Sequence, residues 1–156
     1  MSESSMNHAA FNIVRHYEAP PARVFEAWAD QAAKTRWFGP AEKPEGSHTL
    51  DFRVGGREHL AIAIADAPGY TFDAVYQDIV EGRRIVYTYD MHHGEERISV
   101  SLATVEFEPE GTGTRLTLVE QGVFLDGLDT PAAREHGTRE LMDALGRALA
   151  STGSGA

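Results

Sequence analysis

The chain has 156 residues, which fits one domain able to bury roughly two-thirds of its unfolded surface. It carries 24 acidic against 14 basic residues, a formal charge of −10 that repels phosphate backbones and anionic lipid, so no nucleic-acid or membrane partner is expected. Cysteine is absent, which excludes disulfides and thiolate chemistry, and the lack of a leader or a long apolar run predicts a soluble cytoplasmic protein.

The first part of the chain predicts a tail, a strand and a pair of short helices. Residues 1–10 are expected to be a disordered tail, and residues 11–17 alternate and are rich in strand formers. In the helix that follows, Val24, Phe25 and Trp28 share one face, and a Gly-Pro pair ends the second helix. Because so short a helix pair cannot bury itself, it must close one end of a sheet.

Six further strands are predicted between the helix pair and the end of the chain, each bounded by a turn signal such as Gly-Gly, Pro-Gly or Glu-Gly. They comprise residues 48–53, 57–65, 70–80, 84–89, 97–108 and 114–121. Parallel pairing would need long crossovers, so short connections predict an antiparallel meander whose edge the first strand can close.

One long helix is predicted for residues 131–150, with Pro131 at its first position and a disordered tail at 151–156. At about 100° per residue it carries a single apolar stripe. The stripe comprises Thr138, Met142, Leu145 and Leu149, with Arg134 and Glu135 one turn earlier.

These elements predict an α+β fold in which a curved antiparallel sheet of about seven strands grips the long helix and two short helices close one end. Sheet and helix would touch at their middles and part toward the ends. A ligand cavity between them is therefore the default site.

The same pattern resembles a known family in nearly the whole of residues 11–150. The residues that carry the resemblance are 17–40, 54–57, 75–89, 104–111, 113–118 and 134–137. They resemble the activator of Hsp90 ATPase homologue-like family of the SRPBCC or START-like superfamily. The resemblance implies the helix-grip fold; the superfamily is defined by its fold and cavity and not by one reaction.

Glu120 is the first candidate site residue. On the last predicted strand it shares the inward face with Leu116 and Leu118, which puts a carboxylate in or near the cavity. Burial would raise its pKa unless a cation or donors hold it ionised. It could serve as a general base, a ligand anchor or a structural hydrogen-bond acceptor.

Other candidate ligand contacts lie on the middle strands and the long helix. Tyr87 and Tyr89 share a face that Tyr76 can join, and each offers apolar area with one hydroxyl. His59 is a candidate only if its face is inward. Glu135, Thr138 and Met142 complete the set from the helix. Trp28 and Trp37 are interpreted as packing residues.

No metal, cofactor or catalytic residue is predicted. His92 and His93 with Glu95 and Glu96 form the one local group of possible ligands, but it lies in a hairpin loop without the fixed spacing of a zinc site. There is also no nucleophile elbow, phosphate loop or nucleotide fingerprint.

Three functions remain open. The first is binding of an apolar or aromatic small molecule; the second is a cyclase or hydratase reaction that uses a cavity carboxylate and a tyrosine, as the superfamily resemblance allows. The third, a chaperone partner, is implied by the family name alone. A homodimer is also possible, because the strands carry apolar residues on both faces.

Overall fold

The computed structural model describes residues 4–153, with side chains as far as Ser151, and is built on one seven-stranded antiparallel sheet. Its elements are β1 (Met6–Tyr17), α1 (Pro21–Ala29), α2 (Gln31–Thr35), β2 (His48–Leu50), β3 (Arg57–Ile64), β4 (Ala67–Val80), β5 (Arg84–His93), β6 (Glu96–Glu110), β7 (Gly113–Leu125) and α3 (Pro131–Gly153). The strand order is β1-β7-β6-β5-β4-β3-β2. The predicted meander, with β1 closing on β7, is confirmed.

The helix pair forms as predicted and packs against the sheet. α1 buries Val24, Phe25 and Trp28, the residues of its apolar face. Asp30 caps α2 by accepting a hydrogen bond from the backbone of Ala33 at 2.9 Å. Gly39 then turns the chain with a φ of +88°, and a Cβ there would lie 2.8 Å from the side chain of Leu60. Glycine lets the chain leave α2 close to β3.

α3 lies over the inner face of the sheet and packs against β1 and α1. Thr130 caps it, accepting a hydrogen bond from the backbone N–H of Ala133 at 3.1 Å. The predicted stripe is the buried one: Thr138, Met142, Leu145 and Leu149 all lie in the interior. In the described part of the chain, no helix is both long and apolar enough to cross a membrane.

The element boundaries differ from the predicted ones mainly at the strand ends. Residues 6–10, predicted as tail, pair with residues 121–125, because β7 continues past its predicted end and offers them a partner. The predicted Pro-Gly turn at 68–69 lies inside β4, and the chain turns instead at Asp66, whose φ is +58°. α3 runs to Gly153. Residues 1–3 and 154–156 of the predicted tails lie outside the described residues.

None of the helices among residues 4–153 covers the outer face of the sheet. It carries apolar side chains that are more than a third exposed, among them Val14, Val100 and Val119. They are scattered among polar residues. Self-association through this face stays a prediction.

Candidate functional site

A cavity of about 340 Å³ lies between α3 and the inner face of the sheet. Its wall draws on α1, on the loop after α2, on inward residues of β3 to β7, on Asp129 ahead of α3 and on the first half of α3. The mouth is lined by wall residues that are partly or fully exposed, among them Gly39, Ile62, Tyr70, Ala133 and Gly137. The cavity thus opens between α3 and the β3–β4 hairpin.

Aromatic rings form the closed end of the cavity. Trp28 of α1 meets Tyr87 of β5 there, together with Trp37 and Phe38 from the loop after α2. The indoles of Trp28 and Trp37 pack edge to face with their ring centres 4.9 Å apart. Both tryptophans were expected to be packing residues; they are core residues, but they also line the cavity, so the helix pair supplies part of the wall.

A polar group lies at the opposite end, formed by Tyr89, Glu120 and Arg134. The Tyr89 hydroxyl donates to Glu120 Oε2 at 2.6 Å and accepts a hydrogen bond from Arg134 Nη1 at 3.0 Å. Arg134 Nη1 is 3.9 Å from Glu120 Oε2, and Arg134 Nη2 donates to Ser99 and to Asp129. Three elements, β5, β7 and α3, therefore meet in one hydrogen-bonded polar end.

Within this polar end, the carboxyl group of Glu120 has both a raised pKa and an oxygen that is available to a ligand. Burial raises its pKa, and the hydrogen bond from Tyr89, the charge of Arg134 and the nearby Ser101 hydroxyl only partly oppose that effect. Among the described residues, Tyr89 makes the one hydrogen bond of good geometry to this carboxyl group, at Oε2, and the nearby Ser101 hydroxyl has no partner, so the second oxygen, Oε1, is left available. Glu120 can therefore accept a hydrogen bond from a molecule in the cavity and can exchange a proton more readily than an exposed carboxylate near neutral pH.

Five of the eight residues proposed from the sequence line the cavity: Tyr87, Tyr89, Glu120, Thr138 and Met142. The other three are corrected. His59 points to the outer face beside Asp73, since it alternates with inward Leu60. Tyr76 is inward but donates to Glu58 below the aromatic end. Glu135 pairs with Arg139 one turn along α3, away from the cavity.

Behind the aromatic end lies a buried polar cluster that was not predicted from the sequence, here called the Lys34 cluster: Lys34, His48, Glu58 and Tyr76. Lys34 and Glu58 are fully buried, with Nζ and Oε1 2.7 Å apart. Tyr76 donates to the same oxygen at 2.7 Å, and His48 Nε2 lies 2.7 Å from Glu58 Oε2. The cluster ties α2 to β2, β3 and β4.

The Lys34 cluster also supports the wall of the cavity. The Lys34 ammonium lies 4.4 Å from the ring centre of Phe38 and 5.2 Å from that of Trp28, within the range of cation–π attraction. Tyr87 and Trp37 are 5.8 and 5.9 Å from it. Because the same four rings line the cavity, the buried charge holds the aromatic end in position.

Burial alone would raise the pKa of Glu58, but the charge of Lys34 and the hydrogen bonds from His48, Lys34 and Tyr76 outweigh it and lower the pKa from 4.5 to about 2. A carboxyl group whose pKa falls on folding stabilises the fold above its unfolded pKa and loses that contribution as pH falls through the folded value.

We therefore expect the stability difference between the wild type and Glu58→Gln to be greatest above about pH 4.5 and to close toward pH 2. The change across this window should be on the order of 3 kcal/mol, because each pKa unit corresponds to about 1.4 kcal/mol. Urea unfolding at a series of pH values measures it. A difference that stays constant from pH 6 to pH 2 would contradict the ion pair.

Most of the chain matches a known protein family. The family model described as Activator of Hsp90 ATPase homolog 1-like protein matches residues 18–150. No curated protein matches the chain.

Solved structures resemble the chain over nearly its whole length. The Mll3558 protein from Rhizobium loti is 45% identical, with 93% of this chain and 99% of that chain covered and a TM-score of 0.87. A protein from Rhizobium leguminosarum is 44% identical over 96% of this chain and 99% of that one, with a TM-score of 0.92. CalU16 from Micromonospora echinospora shares the fold at 19% identity, with 94% of this chain and 85% of that chain covered and a TM-score of 0.66.

Proposed function

The chain belongs to the Activator of Hsp90 ATPase homolog 1-like family, and from this membership and its cavity we propose that it binds one small, largely apolar or aromatic molecule between α3 and the sheet. The cavity itself is the observation that carries the proposal. Protein interiors are packed with few voids larger than a water molecule, so a space of this size needs an explanation.

The volume and the wall together favour an organic ligand over water. A cavity of about 340 Å³ has the volume of roughly ten water molecules. Most of its wall is hydrocarbon and aromatic ring, which offers water no hydrogen bonds, so replacing that water with apolar surface is favourable. The volume is at the lower end of the range for ligand pockets and suits a molecule of about two or three fused rings.

The polar end defines how such a ligand would be oriented. Glu120 Oε1 accepts no hydrogen bond from the described protein residues, so it is available to a hydroxyl, amine or amide of the ligand. Arg134 and Tyr89 fix the carboxyl group from the other side. The preferred ligand therefore has an apolar ring system with one hydrogen-bond donor at its edge.

We predict that Glu120→Gln weakens binding of 1-naphthol about tenfold, the loss of roughly 1.4 kcal/mol from one hydrogen bond, and leaves naphthalene binding unchanged. Glutamine would keep its amide oxygen on the Tyr89 hydroxyl and turn its NH₂ group to the cavity, presenting a donor where the carboxylate presented an acceptor. Displacement of the fluorescent dye N-phenyl-1-naphthylamine measures both affinities. This orientation would be contradicted if Glu120→Gln lowered the affinity for both compounds equally, or if it changed neither affinity.

One observation favours a second candidate, an enzyme of the cyclase or hydratase kind. Glu120, with its raised pKa, and the Tyr89 hydroxyl are hydrogen-bonded to each other in the cavity wall, the kind of pair that general acid–base catalysis uses. An enzyme would release a chemically altered molecule and lose that conversion in Glu120→Gln. A binding protein returns its ligand unchanged. The chaperone-partner hypothesis has only the family's name behind it.

A further inference from the structure

The outer face of the sheet, away from the cavity, brings together four side chains that can bind metal, here called the outer-face cluster: His59, Asp73, Asp90 and His92. They come from three adjacent strands, β3, β4 and β5. One carboxylate oxygen each of Asp73 and Asp90 and one imidazole nitrogen of His92 all lie within 4.8 Å of one another.

Two features of this cluster favour the binding of a cation. Asp73 and Asp90 are directly opposite each other on paired strands, an arrangement of like charges that costs stability. His92 faces both carboxylates, and its imidazole makes no hydrogen bond to any residue in the described part of the chain. An imidazole next to two carboxylates matches the ligand types that transition-metal ions use in proteins.

The flanking residues hold the two carboxylates in place. His59 Nδ1 lies 2.6 Å from Asp73 Oδ1, where it can orient that carboxylate, and Arg97 Nε lies 3.2 Å from Asp90 Oδ2. Each aspartate therefore keeps its other oxygen for a third partner. The side chain of Asp73 is 46% exposed and that of Asp90 is 25% exposed, so an ion can reach them from solvent.

We propose that Asp73, Asp90 and His92 bind one divalent first-row transition metal ion, with Zn²⁺ as the representative, and that His59 is a positioning residue for Asp73. Ligand atoms around zinc lie about 2.0–2.2 Å from the ion. The three atoms, all within 4.8 Å of one another, need to approach by about 1 Å, which rotation of these partly exposed side chains provides. Imidazole favours such an ion over Mg²⁺ or Ca²⁺. Three protein ligands leave positions for water.

The test uses the full chain, freed of any affinity tag and treated with chelator, and titrates it with ZnCl₂ against a chromophoric zinc indicator. We expect one Zn²⁺ per chain, not displaced by excess Mg²⁺. Affinity should fall tenfold or more in His92→Ala and in Asp73→Asn, and about tenfold in His59→Ala, the usual effect of losing a residue that orients a ligand. The visible spectrum of Co²⁺, used in place of zinc, should show imidazole coordination that His92→Ala removes.

His93→Ala is the matched control, since His93 is adjacent in the chain but stacks on Tyr70, with Nε2 3.2 Å from the Pro68 carbonyl, outside the cluster. It should bind Zn²⁺ like the wild type. The proposal is overturned by the absence of saturable binding, by wild-type affinity in His92→Ala, or by equal losses in His92→Ala and His93→Ala, which would indicate adventitious binding to the hairpin. Circular dichroism confirms that each variant is folded.

Discussion

Replacing Lys34 by methionine is expected to lower the free energy of unfolding by about 3–5 kcal/mol, the loss usual when one partner of a buried ion pair is removed. Methionine keeps an apolar chain of similar length against the rings of Trp28 and Phe38, so the substitution removes the charge and little packing. Glu58, fully buried, is left without its cation. Urea unfolding at pH 7 measures the loss as a lower midpoint.

Two further variants separate charge from packing. Adding Glu58→Gln to Lys34→Met removes both charges and keeps an acceptor for the Tyr76 hydroxyl, so the double variant should regain much of the lost stability. Lys43→Ala is the control, since Lys43, the chain's other lysine, donates to the backbone carbonyls of Thr35 and Pro40. A loss in Lys34→Met no larger than about 1 kcal/mol, the value of an exposed pair, would contradict the structural role of the cluster.

Gly137→Leu is expected to weaken binding of N-phenyl-1-naphthylamine about tenfold or more, which corresponds to losing roughly 1.4 kcal/mol of contact with the wall. Gly137 lies at the mouth of the cavity, and a Cβ built on it meets no atom within 4 Å. A leucine side chain can therefore enter the cavity and take the ligand's place. Replacing a glycine inside a helix should also raise stability by about 0.5–1 kcal/mol, so lost binding cannot be ascribed to unfolding.

Dye binding can be measured by energy transfer from the protein's own tryptophans, because both tryptophans of the chain line the cavity. Ala132→Leu is the matched control: it adds the same side chain to an exposed position of α3 outside the cavity wall. Its dye binding should equal that of the wild type. Unchanged binding in Gly137→Leu, or equal losses in both variants, would mean that the dye binds elsewhere.

Most of the fold could be predicted because the patterns that indicate it lie within short stretches of the sequence. Alternation marks the strands and short connections leave only a meander, while the stripe on α3 is set by its 3.6-residue period. The strand ends were missed because polar residues such as Asp90 and His92 were predicted as loop, although they continue the hydrogen-bonded ladder of β4 and β5. Whether a polar residue stays in a strand depends on the length of the neighbouring strand, which is information from elsewhere in the chain.

Residues of the candidate site could be predicted only where the alternation of a strand or the periodicity of a helix shows which side chains face inward. Glu120 follows from its place two residues after Leu118, and the buried stripe of α3 gave Thr138 and Met142. Lys34 gave a weaker signal. It lies three and four residues before Trp37 and Phe38, on the apolar side of the helix pair, where lysine is rare unless it is paired.

The partner of Lys34 could not be found from local pattern. Glu58 alternates with Leu60 and is therefore inward, but it lies 24 residues along the chain from Lys34. Nothing in either segment alone identifies the other. The outer-face cluster has the same origin, since Asp73 reaches Asp90 and His92 only through the register of β4 and β5. Such sites need the sheet to be assembled before they can be recognised.

Native mass spectrometry of the protein, purified without denaturation from its own organism, tests ligand binding in the cavity most directly. We expect one noncovalently bound organic molecule per chain, released by collisional activation. It should carry an aromatic or apolar ring system and a hydrogen-bond donor, and it should be absent from Gly137→Leu prepared in the same way. The wild type found empty in every preparation, or the same molecule retained by Gly137→Leu, would contradict it.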